Sequence, residues 1–314
     1  MARYLTVRFL GMAIVLLFVS LLTFLIMYNT PGGPFDEKEI PLSAAAKANL
    51  MAKYGLDQPI YVQWGKYVWN ALQGDFGYSY SYPNQRIVDL LWKYWKDSLL
   101  LGIASVAWSF PVGAILGVIA ALKRNTWVDR AITVFSLVGV TVPLISLIFF
   151  GQMIFVVWLK WVPWGTGRSL TQQPLGFWVL PVILFGIATV GSLARYTRAG
   201  MLEVLGQDYI RTARAKGVKR TGVIFKHAMR NMMIPLITLF GPTLSNAITG
   251  SIFVELAFAI PGIGRFFIGS IFARDYPMIM ATTLIGAVIL TVTYLISDIA
   301  YTLVDPRIRL GGKK

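Results

Sequence analysis

Residues 98–122 read SLLLGIASVAWSFPVGAILGVIAAL, a run without a single Asp, Glu, Lys or Arg. A helix rises about 1.5 Å per residue, so about 20 such residues cross a hydrocarbon core roughly 30 Å thick. Five further apolar blocks flank this one, at 9–28, 131–157, 176–194, 234–258 and 278–303. The first four blocks in chain order hold no formal charge, and one charge at mid-membrane would cost on the order of 3 kcal/mol. The last two each hold one acid, Glu255 and Asp298. The expectation is an all-α polytopic membrane protein with six transmembrane helices and both termini on one side.

Composition agrees. Hydrophobic residues make up 56% and charged residues 14% of the 314 positions, against roughly 45–50% and about 25% in soluble domains. Residues 1–8 are basic and precede an apolar block, but no small-residue cleavage site follows before Tyr28-Asn29-Thr30-Pro31. This is a retained first span, and an uncleaved signal anchor would look the same. The absence of cysteine removes disulfides and thiolate chemistry, and a single histidine, His227, rules out a histidine metal cluster. No catalytic residue and no metal site is expected.

The net charge of +15 is compatible with nucleic acid or with an anionic membrane, so its placement decides. With the N-terminus inside, the inner segments hold eighteen Lys and Arg, nine of them between Arg195 and Arg230. The short outer connections hold four, Lys160, Arg168, Arg265 and Arg274. Basic residues near span ends stay in the cytoplasm, so both termini are expected there, with membrane lipid and not nucleic acid as the partner of the charge. The chain then divides into 1–97, a first span plus a long external helical cap, and 98–314, a core with a cytoplasmic loop at about 195–233. In the cap, Ser43 opens a short helix that Gly55 ends, and Ile60, Trp64, Tyr67, Val68, Ala71 and Leu72 recur at helical spacing before Gly74. Its aromatics suit an interface belt or a docking surface.

Inside the blocks, Pro111, Pro143, Pro181 and Pro242 each remove a backbone donor, which fits kinked helices around a pathway or ordinary kinks in a packed bundle. Gly113 and Gly117 form a small-xxx-small pair that lets another helix approach.

The loop at 195–233 is too polar for the bilayer and too long for a turn. Its core reads DYIRTARAKG (208–217), then VKRTGVIFKHAMRNMMIP (218–235). Good helix formers before Gly217 predict a short helix, a left-handed turn at Gly217 and a second helix. A basic surface segment held by anionic lipid would share this composition.

The segment resembles the EAA loop of ABC importer permeases, in the wording of the dipeptide/oligopeptide class of binding-protein-dependent permeases. NTPGGPF (29–35), KYGLDQPIYVQWGKYVWNALQGDFGYS (53–79), FVELAFAIPGIGRF (253–266), ARDYP (273–277) and DPRIR (305–309) are similar to the same class, so the resemblance runs through nearly the whole chain. Arg211 and Thr212 stand where the general loop has Glu and Ala, and Ala213 matches. Asp208 is the candidate for the missing glutamate's part.

The resemblance implies a type I ABC importer permease fold. It also implies a coupling element formed by Asp208, Tyr209, Arg211, Thr212, Ala213, Ala215, Lys216 and Gly217, with Ala213 on the face that the ATPase covers. The implied partners are a second homologous permease, two ATP-binding-cassette ATPase subunits that bind ATP and Mg, and an extracellular or periplasmic solute-binding protein. The implied location is a bacterial or archaeal cytoplasmic membrane. Peptides are the default cargo, with nickel chelates and oligosaccharides as alternatives. The chain itself carries no cofactor and no GxxxxGK[ST] phosphate loop. A self-powered secondary transporter or channel is the rival, for which Glu255 and Asp298 are the intramembrane candidates.

Overall fold

The computed structural model describes residues 2–31, 51, 55–82 and 84–304. The short helix expected after Ser43 and the DPRIR stretch lie outside the described residues, as do the side chains of His227 and Asp298. Helix α1 (Ala2–Asn29) carries the first apolar block, α2 (Ile60–Leu72) follows, and α3 (Ile87–Leu122) carries the second block. Helices α4 (Trp127–Thr141) and α5 (Leu144–Gly151) share the third block, which ends in a π-helical stretch, Gln152–Trp158. Helix α6 (Leu175–Leu205) outruns the fourth block by more than two turns. After α7 (Asp208–Ala215), a helical turn at Arg220–Gly222 and π-helical Val223–Ala228 lead into α8 (Met229–Ile248). The chain continues through α9 (Ile252–Ala257) and α10 (Ile263–Phe272) to α11 (Tyr276–Val304).

Four of these helices, α1, α3, α6 and α11, are long and apolar enough to cross a membrane singly. The expected span at 131–157 is a bent pair, α4 and α5 meeting at 107° and passing the same test only together. Pro143 causes the break, because its ring pushes Val142 out of the helical region, to φ −76° and ψ 126°. The block at 234–258 is also divided. Gly250 takes φ +89°, and Ser251 opens α9 by accepting the Val254 N–H at 3.4 Å. Apolar side chains such as Ile14 and Phe18 on α1 and Val134, Phe135 and Val138 on α4 stand exposed, which water would penalise and acyl chains accommodate.

The chain divides into two compact units, Met1–Lys96 with Gly262–Thr291, and Asp97–Pro261 with Val292–Lys314. The first unit's core gathers Ile87, Leu90, Leu91, Ile263, Met278 and Ala281. Buried Asp275 pins its connecting segment. Its carboxylate accepts the Ser79 hydroxyl, the Ser81 N–H at 3.2 Å and the Met278 N–H at 3.3 Å. On α2, the Tyr67 hydroxyl is buried without a hydrogen-bond partner among the described residues, and burial pushes its titration above the usual tyrosine range.

The second unit is organised around α6. A Cβ added at Gly113 of α3 would lie 2.7 Å from the Leu193 Cβ, and one at Gly117 would strike Thr197. On the other side, Gly191 would meet the Ser136 carbonyl of α4 at 2.6 Å, and Gly139 of α4 would meet the Ile187 carbonyl at 3.1 Å. The small-residue pair read in the sequence therefore serves α6, and glycines let its backbone approach both neighbours. Leu193 and Met201 of α6 join Ile224, Ala228 and Met232 in a core that extends to the segment after α7.

Candidate functional site: the α7 hairpin and the buried carboxylates

Helix α7 is short and strongly two-sided. Ile210 and Ala213 are buried, at 0% and 8% exposure, and pack with Val223 across the turn and Val204 before it. Burying an isoleucine stabilises by roughly 1.5–3 kcal/mol, a contribution that favours seating α7 against the segment that follows. Ala213, expected on the face that the ATPase covers, packs in the hairpin's own core within this chain. A residue three positions after an inward-facing Ile210 points the same way on a helix.

Asp208, Tyr209, Arg211, Thr212, Ala215, Lys216 and Gly217 are exposed. Asp208 stands in the first turn and Arg214 in the last, each complementing the helix dipole. Arg211 pairs with Asp208 at 3.4 Å on the surface, an i,i+3 contact worth a few tenths of a kcal/mol. The Thr212 hydroxyl donates to the Asp208 carbonyl at 3.0 Å.

The turn is a Schellman motif. The Gly217 N–H donates to the Arg214 carbonyl at 2.9 Å and the Val218 N–H to the Ala213 carbonyl at 3.2 Å. Gly217 takes φ +79°, with open space where a Cβ would be. The demand for glycine here is conformational and not steric.

Glu255 is fully buried in the first turn of α9. Its Oε1 accepts the Ser98 hydroxyl at 2.6 Å, and a Cβ on Gly250 would strike that oxygen. The carboxylate is thus engaged in holding α9 to α3. Asp298 lies on α11, and its side chain is outside the described residues.

Two further carboxylates escaped the sequence reading. Asp97 of α3 is buried and accepts the Ser169 hydroxyl and the Leu170 N–H, both at 2.7 Å, fixing the segment before α6. Asp129 of α4 is buried and held in a fork by Arg198 of α6, with Nε to Oδ1 at 2.6 Å and Nη2 to Oδ2 at 2.8 Å. Asp129 Oδ2 also accepts the Asn125 N–H at 3.0 Å. Losing Arg198 would leave the Asp129 carboxylate, itself largely out of water, without its fork. The signal was available, since Asp129 is a lone acid among Lys123, Arg124 and Arg130, but a count of bases passes over it.

Comparison with known proteins bears on the whole arrangement. Residues 113–310 match the family described as binding-protein-dependent transport system inner membrane component, and residues 1–85 match that system's N-terminal membrane-component family. The chain is 41% identical to the dipeptide transport system permease protein DppB of Bacillus subtilis over the full length of both. It is 39% identical to the oligopeptide transport system permease protein AppB of the same organism, covering 98% of this chain and 99% of that one. It is also 37% identical to the glutathione transport system permease protein GsiC of Escherichia coli K12, again over 98% and 99%. Among solved structures, a chain from the inward facing MetNI methionine ABC transporter matches with a TM-score of 0.56 and 18% identity. It covers 68% of this chain and 96% of its own. With its apolar spans and this fold, the chain belongs to the binding-protein-dependent transport system inner membrane component family and is a multi-pass permease subunit of an ABC uptake transporter.

Proposed function

We propose that this permease carries peptides across the cytoplasmic membrane by alternating access, with the α7 hairpin as the element that receives the ATPase. The full-length similarity to permeases named for dipeptides, oligopeptides and glutathione supports the cargo class. ATP and Mg then bind on two separate ATPase subunits, a second homologous permease completes the pathway, and a solute-binding protein delivers cargo from outside. Both termini and the hairpin face the cytoplasm, as the eighteen-to-four placement of Lys and Arg argues.

The observation that carries the coupling role is the exposed face of α7. Tyr209, Arg211, Thr212, Ala215 and Lys216 project from a helix whose opposite face is already filled, and the turn at Gly217 fixes its direction. Such a rigid, outward-facing peg suits a cleft on another subunit. The test is Gly217→Val in the reconstituted complex, following ATPase co-purification and uptake together. Insertion and binding-protein docking are expected to persist while ATP hydrolysis and uptake come apart. Normal uptake with normal ATPase retention would remove the hairpin from the mechanism.

A further inference from the structure

The hairpin sits at the end of α6, and α6 is one unbroken helix from Leu175 to Leu205 with α7 starting at Asp208. Seven residues before Leu205, Arg198 leaves α6 to grip both oxygens of Asp129. Asp129 in turn accepts the backbone N–H of Asn125, which stands at φ +65° in the tight turn joining α3 to α4. One carboxylate therefore ties α4, α6 and the α3–α4 turn together, next to seams where glycine already brings the backbones into contact, Gly117 against Thr197 and Gly191 against Ser136. Arg198 is half-buried and Asp129 buried, and an ion pair taken out of water gives little stability beyond what apolar packing would give, so its distinguishing property is geometric. A bidentate fork fixes distance and direction together, which a single point charge does not.

We propose that Asp129 and Arg198 are positioning residues for transport: their closed fork is the joint through which a displacement of the α7 hairpin moves α3, α4 and α6 as one body. This rests on the reading of the hairpin as the ATPase-coupling element. Without the joint, a push on α7 is taken up by bending of α6 beyond Arg198, and the paired helices lag.

The experiment uses the complete complex in proteoliposomes, with its binding protein purified carrying native cargo, and reads the stimulation of ATP hydrolysis by that protein per assembled complex. Arg198→Lys keeps the charge and is the variant expected to assemble, but it cannot close the fork. Asp129→Asn opens the fork from the other side. Each is expected to lower stimulation by roughly 2- to 30-fold, the range in which residues along a coupled element act. The double variant should fall no further than the worse single, because an open joint cannot be opened twice. Unchanged stimulation in Arg198→Lys, or losses that multiply in the double variant, would overturn the joint. So would a loss confined to complex yield, since stimulation per assembled complex would then be normal. Gly217→Val is run alongside: if it uncouples while Arg198→Lys does not, the hairpin reading survives and the joint fails; if neither uncouples, the hairpin reading fails first.

Discussion

Ser98 on α3 donates its hydroxyl proton to Glu255 on α9 at 2.6 Å, and Gly250 borders both side chains. The acid that a proton-coupled carrier would have used is engaged in a structural contact. Its neighbours explain one another. Gly250 must take φ +89° to end α8, and it must lack a Cβ because the Glu255 carboxylate fills that volume.

Gly250→Ala should therefore destabilise the complex on two counts, with backbone strain of roughly 1–2 kcal/mol plus displacement of Glu255. Ser98→Ala should cost about 1–3 kcal/mol by removing a donor from a buried carboxylate. Thermal unfolding of the purified complex reads both. The two losses should not add, since each disturbs the same carboxylate. Additive losses would mean that the three residues do not form one cluster.

Much of this arrangement could be read in one dimension. The apolar blocks gave the helices, and the run of helix formers ending at Gly217 gave the left-handed turn, because both signals are local. What could not be read depends on pairs distant in sequence. The apolar block opening at Ser98 hid the true start of α3 at Ile87, since Lys93, Lys96 and Asp97 interrupt the pattern. Asp97 is nonetheless buried, because Ser169 and Leu170, more than seventy positions later, satisfy it. Pro143 announced the break, but the 107° angle between α4 and α5 is set in three dimensions and has no local signal.

The hydroxyl of Tyr67 is buried with no hydrogen-bond partner among the described residues, and burial pushes its titration upward. A buried polar group left unsatisfied costs on the order of 1–3 kcal/mol. Tyr67→Phe removes that cost while keeping the ring, so it should leave the unfolding temperature unchanged or raise it. A clear drop would show that the hydroxyl has a partner in the assembled transporter.

Orientation has a direct test, because the chain contains no cysteine and every introduced thiol is reported without background. Tyr61 on α2 is 71% exposed and Lys219 lies in the exposed turn after Gly217. A cysteine at position 61 should react with an impermeant thiol reagent in intact cells, and one at 219 only after the membrane is opened. The opposite pattern would invert the protein in the membrane and place the hairpin on the wrong side for an ATPase.

Ala213 separates the hairpin's internal packing from its contact with a partner. Its methyl group lies among Ile210, Val223 and Val204, so a carboxylate there would be stripped of water by the hairpin itself, with no partner needed. Ala213→Glu should unseat α7 in the permease alone, exposing the hairpin to proteolysis at Arg211 and Arg214 even before the ATPase is added. Ala213→Ser, with a hydroxyl able to bond back to the helix, should behave nearly as wild type. Lys216→Glu changes the exposed face only. It should leave the hairpin as protease-resistant as wild type while weakening ATPase co-purification, because the packed face is untouched. Limited proteolysis of the permease and retention of the ATPase, measured on the same three variants, distinguish the two faces. If Ala213→Glu loses the ATPase while its hairpin stays protected, Ala213 contacts the partner and its inward packing is not the one that operates in the complex.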